Sequence, residues 1–148
     1  MGRLVTLYHW TRKDRLASIL EHGLDTRSEH PDWGLELRRG VTYCWLKPEH
    51  NTLTPDLKSP EHEFLEVTVD EDECLVTDMM YINLAQMYLH GELGKPRSEE
   101  AGDLLKQLYV AAAVPLAKYT DGMFMRPEVL VRRAIPVSAI RRRAGSLG

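Results

Sequence analysis

The run Arg3-Leu4-Val5-Thr6-Leu7-Tyr8-His9-Trp10-Thr11, followed directly by residues 12 to 23, decides the fold, because two hydrophobic periods stand back to back in it. Over Arg3 to His9 apolar and polar residues alternate, Leu4 against Arg3 and Val5 against Thr6, which is the period of a strand with one wet face. Past Thr11 the period lengthens, and Leu16, Ile19 and Leu20 form one apolar stripe at helical spacing. Thr11 stands three residues before Asp14, a carboxylate variant of the capping box, and Gly23 stands where a C-cap belongs. A short amphipathic helix is therefore predicted over 12–22.

Working outward, residues 25 to 40 are polar and hold Pro31, Gly34 and Gly40, which predicts a loop, and Val41 to Leu46 is rich in β-branched and aromatic residues, which predicts a strand. Pro48 to Pro60 reads as a second loop. Phe64 to Asp70 alternates cleanly, Glu71-Asp72-Glu73 is turn-like, and Cys74 to Thr77 is a shorter run, so a hairpin or a pair of strands is expected there. Asp78 is placed to cap a helix through about His90, and Ser98 with Glu99 and Glu100 to start another, with Leu104, Leu105, Leu108 and Tyr109 as one face and Pro115 as its stop. After a loop from Tyr119 to Pro127, Glu128 to Arg132 and Val137 to Ile140 are strand-like. Strands that flank inserted helices, with no internal repeat, predict a single α+β domain over residues 1–148.

Composition narrows the function classes. The 148 residues are 43% hydrophobic and 28% charged, which suits one packed core and excludes a disordered or fibrous chain. The longest apolar stretches, such as Val110 to Ala117, fall far short of the roughly 20 residues of a membrane span, and no secretory h-region opens the chain. A cytoplasmic protein that does not enter a membrane is the expectation. Cys44 and Cys74 form no CxxC pair, so they are expected to be reduced and structural, and no metal site is predicted. His50 and His62 read as solvated loop histidines, and Met79, Met80 and Met87 as packing residues. The net charge of −3 hides an asymmetry, because residues 59 to 94 carry nine acids and no Lys or Arg, whereas Arg126, Arg132, Arg133 and Arg141 to Arg143 crowd the end.

Three segments put a chemically capable side chain on or beside a predicted strand: Tyr8-His9-Trp10-Thr11, Val41-Thr42-Tyr43 and Pro127-Glu128-Val129-Leu130-Val131. Singly, each has a plain structural use: a strand-end histidine bonded to a loop, a core tyrosine, a glutamate at a sheet edge. Together and in this order they resemble the His, Tyr, Glu triad of the ADP-ribosyltransferase superfamily, in the branch of diphtheria-type toxins and poly-ADP-ribose polymerases.

That resemblance implies a split β-sheet core with flanking helices and NAD as the ADP-ribose donor. It assigns the cofactor-binding roles to His9, Trp10, Thr11 and Tyr43: His9 and Thr11 hold the adenosine ribose and the nicotinamide amide, and Tyr43 stacks on the nicotinamide ring. Trp10 stands where the family has glycine, so its ring must point away from the ligand or wall the pocket. Trp45, two residues on from Tyr43 and on the same face, is the alternative platform. Glu128 becomes the catalytic carboxylate, stabilising positive charge on the sugar as the glycosidic bond breaks. Arg12 or Arg15 could reach the pyrophosphate, although an exposed helix face is the simpler use of both.

The implied activity is mono-ADP-ribosyl transfer to a macromolecule, and compact relatives often act as toxins or host-modifying factors. Arginine-modifying members hold a second Glu two places before the catalytic one; here that place is Arg126, which disfavours an arginine acceptor and suits a phosphate or carboxylate. Nucleic acid, DNA or RNA, ranks narrowly above protein as acceptor. The alternatives are an RNA 2'-phosphotransferase-like enzyme and a catalytically degenerate binding domain of the same fold.

Overall fold

A computed structural model describes residues 2–26, 32–50 and 61–143. The described residues form an α+β domain in which seven strands make one sheet: β1 (Leu4–Arg12), β2 (Thr42–Trp45), β3 (His62–Asp70), β4 (Cys74–Asp78), β5 (Val114–Pro115), β6 (Pro127–Val131) and β7 (Ile140–Arg142). The order is β5-β4-β6-β2-β1-β3-β7, with every neighbouring pair antiparallel.

The sheet has a weak seam. β1 registers with β3 along its whole length, from Leu4↔Asp70 to Arg12↔His62, and β2 registers with β6 from Thr42↔Val131 to Trp45↔Glu128. Between β1 and β2 the only registered pair is Tyr8↔Trp45. Two wings, β5-β4-β6-β2 and β1-β3-β7, thus meet at that pair.

Leu7, Leu65, Val67, Val76, Val129 and Val131 are fully buried and knit both wings into one core. Burial of such side chains contributes about 1.5 to 3 kcal/mol each, so the core holds the wings together where backbone pairing does not. Helix α1 (Leu16–His22) packs against the turn Val137–Ala139. Helices α2 (Met80–His90) and α3 (Glu99–Ala112) pack on each other. Their approach depends on Gly102, where an added Cβ would meet the Leu89 side chain at 2.6 Å.

The first helix ends as expected, with Gly23 at φ 85° and its N–H on the Ile19 carbonyl. Its start differs: Thr11 lies inside β1 and caps nothing, and a 3-10 turn, Lys13–Arg15, leads into α1. The Ser98 hydroxyl accepts the Ala101 N–H at 3.1 Å, as a cap should. β3 and β4 are not hairpin partners. Both edges of β3 are taken by β1 and β7, so the turn Glu71–Glu73 carries the chain to the other wing, where β4 pairs with β5 and β6. The packed face of α3 is only partly the expected one: Tyr109 is buried as expected, together with Gly102, while Leu104 and Leu108 are exposed. Val137–Ala139 is a 3-10 turn, and only Ile140 onward joins the sheet. Of the two expected loops, residues 27–31 and 51–60 lie outside the described residues.

Charge asymmetry along the sequence becomes pairing in space. Arg141 bonds Glu66 at 2.6 Å, Arg142 bonds Glu63 through two nitrogens, and Arg133 meets Glu73. Among the described residues no helix is long and apolar enough to cross a membrane.

Candidate active site

β1, β2 and β6 lie side by side at the seam, and they carry His9, Tyr43 and Glu128. Register puts Tyr43 opposite Leu130 and Trp45 opposite Glu128, so Tyr43, Trp45 and Glu128 share one face of the sheet, while Cys44 and Val129 turn into the core. His9 is buried, and its ring crosses the seam to the Tyr43 carbonyl at 2.8 Å. A carbonyl only accepts, so Nδ1 donates. Thr11 is buried two residues on. Trp10 leaves β1 on the side opposite His9 and Thr11, where it stacks on His62 (5.0 Å, 2°) and tilts against Phe64 (4.6 Å). The bulky side chain in the glycine position thus packs on β3.

Around Tyr43 and Glu128 the structure adds residues that carried no sequence signal. Arg38, from the turn Glu36–Arg38, inserts its guanidinium between two aromatic faces, 4.4 Å from the Trp33 centroid and 4.2 Å from that of Tyr43. Arg38 Nη1 donates to Glu128 Oε1 at 2.5 Å and to the Tyr109 hydroxyl at 2.6 Å, and that hydroxyl donates to the same Glu128 oxygen at 2.7 Å. The Tyr43 hydroxyl donates to the Arg38 carbonyl at 2.6 Å and ties the turn to β2. A buried carboxylate, a buried cation and a buried phenol therefore form one closed cluster in an aromatic box.

Electrostatics follow from this closure. Burial works against the Arg38 charge, but Glu128, Tyr109 and Tyr43 more than offset it, so its pKa lies above the ordinary value. Burial, with Glu128 beside it, pushes the Tyr109 phenol well up, so it stays protonated and a donor. Burial also raises Tyr43.

Arg126 occupies a second shelf next door. Its guanidinium lies 4.7 Å from the Trp45 centroid, donates to Asn83 Oδ1 at 2.8 Å and to the His50 carbonyl at 3.0 Å, and is only 7% exposed. Burial lowers its pKa, against the pull of Glu128. Asp78 fixes the approach: it accepts the N–H groups of Met125, Arg126 and Met80, joining the residues before β6 to the start of α2. Tyr43 and Trp45, the two candidate platforms, thus each carry an arginine.

The remaining candidates lie elsewhere. Arg12 sits at an exposed end of β1 with Asp14, and His62 is the stacking partner of Trp10. Cys44 and Cys74 are free and buried; burial raises both thiols, Cys74 to about 12, so neither is a nucleophile at neutral pH. Among the described residues no group of three or more His, Cys, Asp or Glu converges to hold a metal ion. Arg38 and Trp33 were hidden in a polar loop with no periodicity, and Tyr109 looked like one more apolar position of a helix. No protein-family model matches the chain, and no curated protein does.

Proposed function

We propose that the domain is an ADP-ribosyltransferase-like split sheet and that the protein is an NAD-dependent mono-ADP-ribosyltransferase. One observation carries this: the box made by Tyr43, Trp33 and Glu128 is complementary to a flat cation, since it holds one in Arg38. The pyridinium ring of NAD is such a cation. The single-pair seam between the wings supports the split-sheet assignment, with His9, Tyr43 and Glu128 on the three strands beside it.

In this reading Tyr43 offers its face to the nicotinamide ring, and His9, fixed by the Tyr43 carbonyl, lies beside the adenosine ribose. Glu128 lies against the sugar. When the bond between ribose C1 and the nicotinamide nitrogen breaks, the electron pair leaves with neutral nicotinamide and positive charge develops on the sugar, which the Glu128 carboxylate stabilises. A nucleophilic group of a macromolecular acceptor then bonds C1 and gives up its proton, for which the same carboxylate is the nearest base. Arg126, held by Trp45, Asn83 and the His50 carbonyl, is the residue that would meet a phosphate or carboxylate of the acceptor beside Glu128.

The test is transfer of label from adenine-labelled NAD to separate protein, DNA and RNA pools. The wild type is expected to label one pool and Glu128→Gln none, with NAD still bound by the variant. Equal labelling by both proteins, or none by either, would remove the assignment.

A further inference from the structure

Arg38 stands where the nicotinamide ring would stack. We propose, resting on the NAD reading above, that Arg38 is an internal competitor for the pyridinium, a latch that fills the slot between Trp33 and Tyr43 and swings out when NAD enters.

Three observations support the exchange. Guanidinium and pyridinium are both flat monocations, and the Tyr43 and Trp33 faces that Arg38 occupies are the ones an entering pyridinium would use, with the Glu128 carboxylate beside them. Exchanging one cation for another keeps the buried Glu128 compensated, which avoids the large cost of leaving a buried carboxylate alone. Finally, Arg38 is delivered by a single 3-10 turn and not by a strand. That turn lies between Gly34 (φ 77°) and Gly40 (φ 66°), each with open space around it, so it can rotate away without unpairing the sheet. Among the described residues, the swing breaks the bond of the Tyr43 hydroxyl to the Arg38 carbonyl and those of the guanidinium to Tyr109 and Glu128.

A latch lowers apparent affinity by the fraction of molecules in which it is open. If one molecule in ten or fewer is open, removing the side chain tightens NAD binding by about tenfold or more. The experiment is calorimetric titration of wild type and Arg38→Ala with NAD and, separately, with methylguanidine. Expected are tighter NAD binding by the variant and methylguanidine that competes with NAD in the variant but not in the wild type. Weaker NAD binding by Arg38→Ala, with wild-type binding intact, would overturn the latch and leave the NAD reading standing. Binding of methylguanidine but not NAD by the variant, with no NAD binding by the wild type, would overturn the NAD reading and the latch with it. Should Arg38→Ala fail to fold, Arg38→Lys keeps the charge without the stacking plane, and a smaller tightening is expected; unchanged or weaker NAD binding in that variant would overturn the latch.

Discussion

Two arginine–glutamate pairs mark the two wings of the sheet, and they are built for different purposes. In the β1-β3-β7 wing, Arg142 clasps Glu63 through two nitrogens at 3.0 and 2.8 Å, with the arginine side chain 38% exposed and the glutamate 6%. In the other wing, Arg38 and Glu128 are 2% and 5% exposed, meet through one arginine nitrogen, and are wrapped by Tyr43, Trp33 and Tyr109. The first pair joins strand neighbours at a wet edge with ideal fork geometry. The second brings a cation from a loop to a strand carboxylate in a dry aromatic box, a costly arrangement unless the box serves something besides stability. Residue types alone do not distinguish a structural pair from a candidate catalytic one; hydration and the element that supplies the cation do.

The comparison breaks most visibly at Glu128. Glu128→Ala leaves Arg38 charged and buried, and stability in denaturant titrations should fall by about 3 to 5 kcal/mol. Tyr109→Phe removes the donor to Glu128 and the acceptor for Arg38 while keeping the ring, and should cost about 2 kcal/mol in the same titrations. Arg142→Ala uncovers the Glu63 carboxylate that the partly exposed arginine now shields, so Glu63 rehydrates; the loss should be about 1 kcal/mol, with nicotinamide release unchanged. If Arg142→Ala proves as damaging as Glu128→Ala, the two pairs are not different in kind.

The smallest effect belongs to His50, whose carbonyl supports Arg126 and whose Nδ1 is buried with no hydrogen-bond partner among the described residues. Burial, then Lys47, holds this imidazole below its ordinary value of 6.5, so the folded protein takes up the proton less readily than the unfolded chain. Its contribution is present above the unfolded value and lost as pH falls through the lowered one. Melting temperatures compared at neutral and mildly acidic pH should therefore drop less in His50→Gln than in the wild type.

What was legible in the sequence follows the range of the interactions. Leu4 to His9 showed a strand because alternation is local, and Gly23 and Ser98 marked helix ends because a cap is made within one turn. Pairing partners were not legible: alternation in Phe64 to Asp70 says that β3 is a strand, not that β1 and β7 occupy its edges. That His9, Tyr43 and Glu128 each stand on a strand was legible from local residue types; that β1, β2 and β6 are neighbours was not. Nor was Arg38, since a loop residue brought 90 positions along the chain to Glu128 leaves no periodic trace.

The most direct measurement is release of free nicotinamide from NAD, quantified chromatographically for the wild type, Glu128→Gln and Tyr43→Ala, each first shown to be folded by circular dichroism. The wild type should release nicotinamide when its acceptor pool is present, and Glu128→Gln should be slower by about a hundredfold or more while still binding NAD. Tyr43→Ala should lose NAD affinity as well as rate. No release by the wild type with any acceptor pool, or release by Glu128→Gln at the wild-type rate, would contradict a catalytic role for the box at the seam.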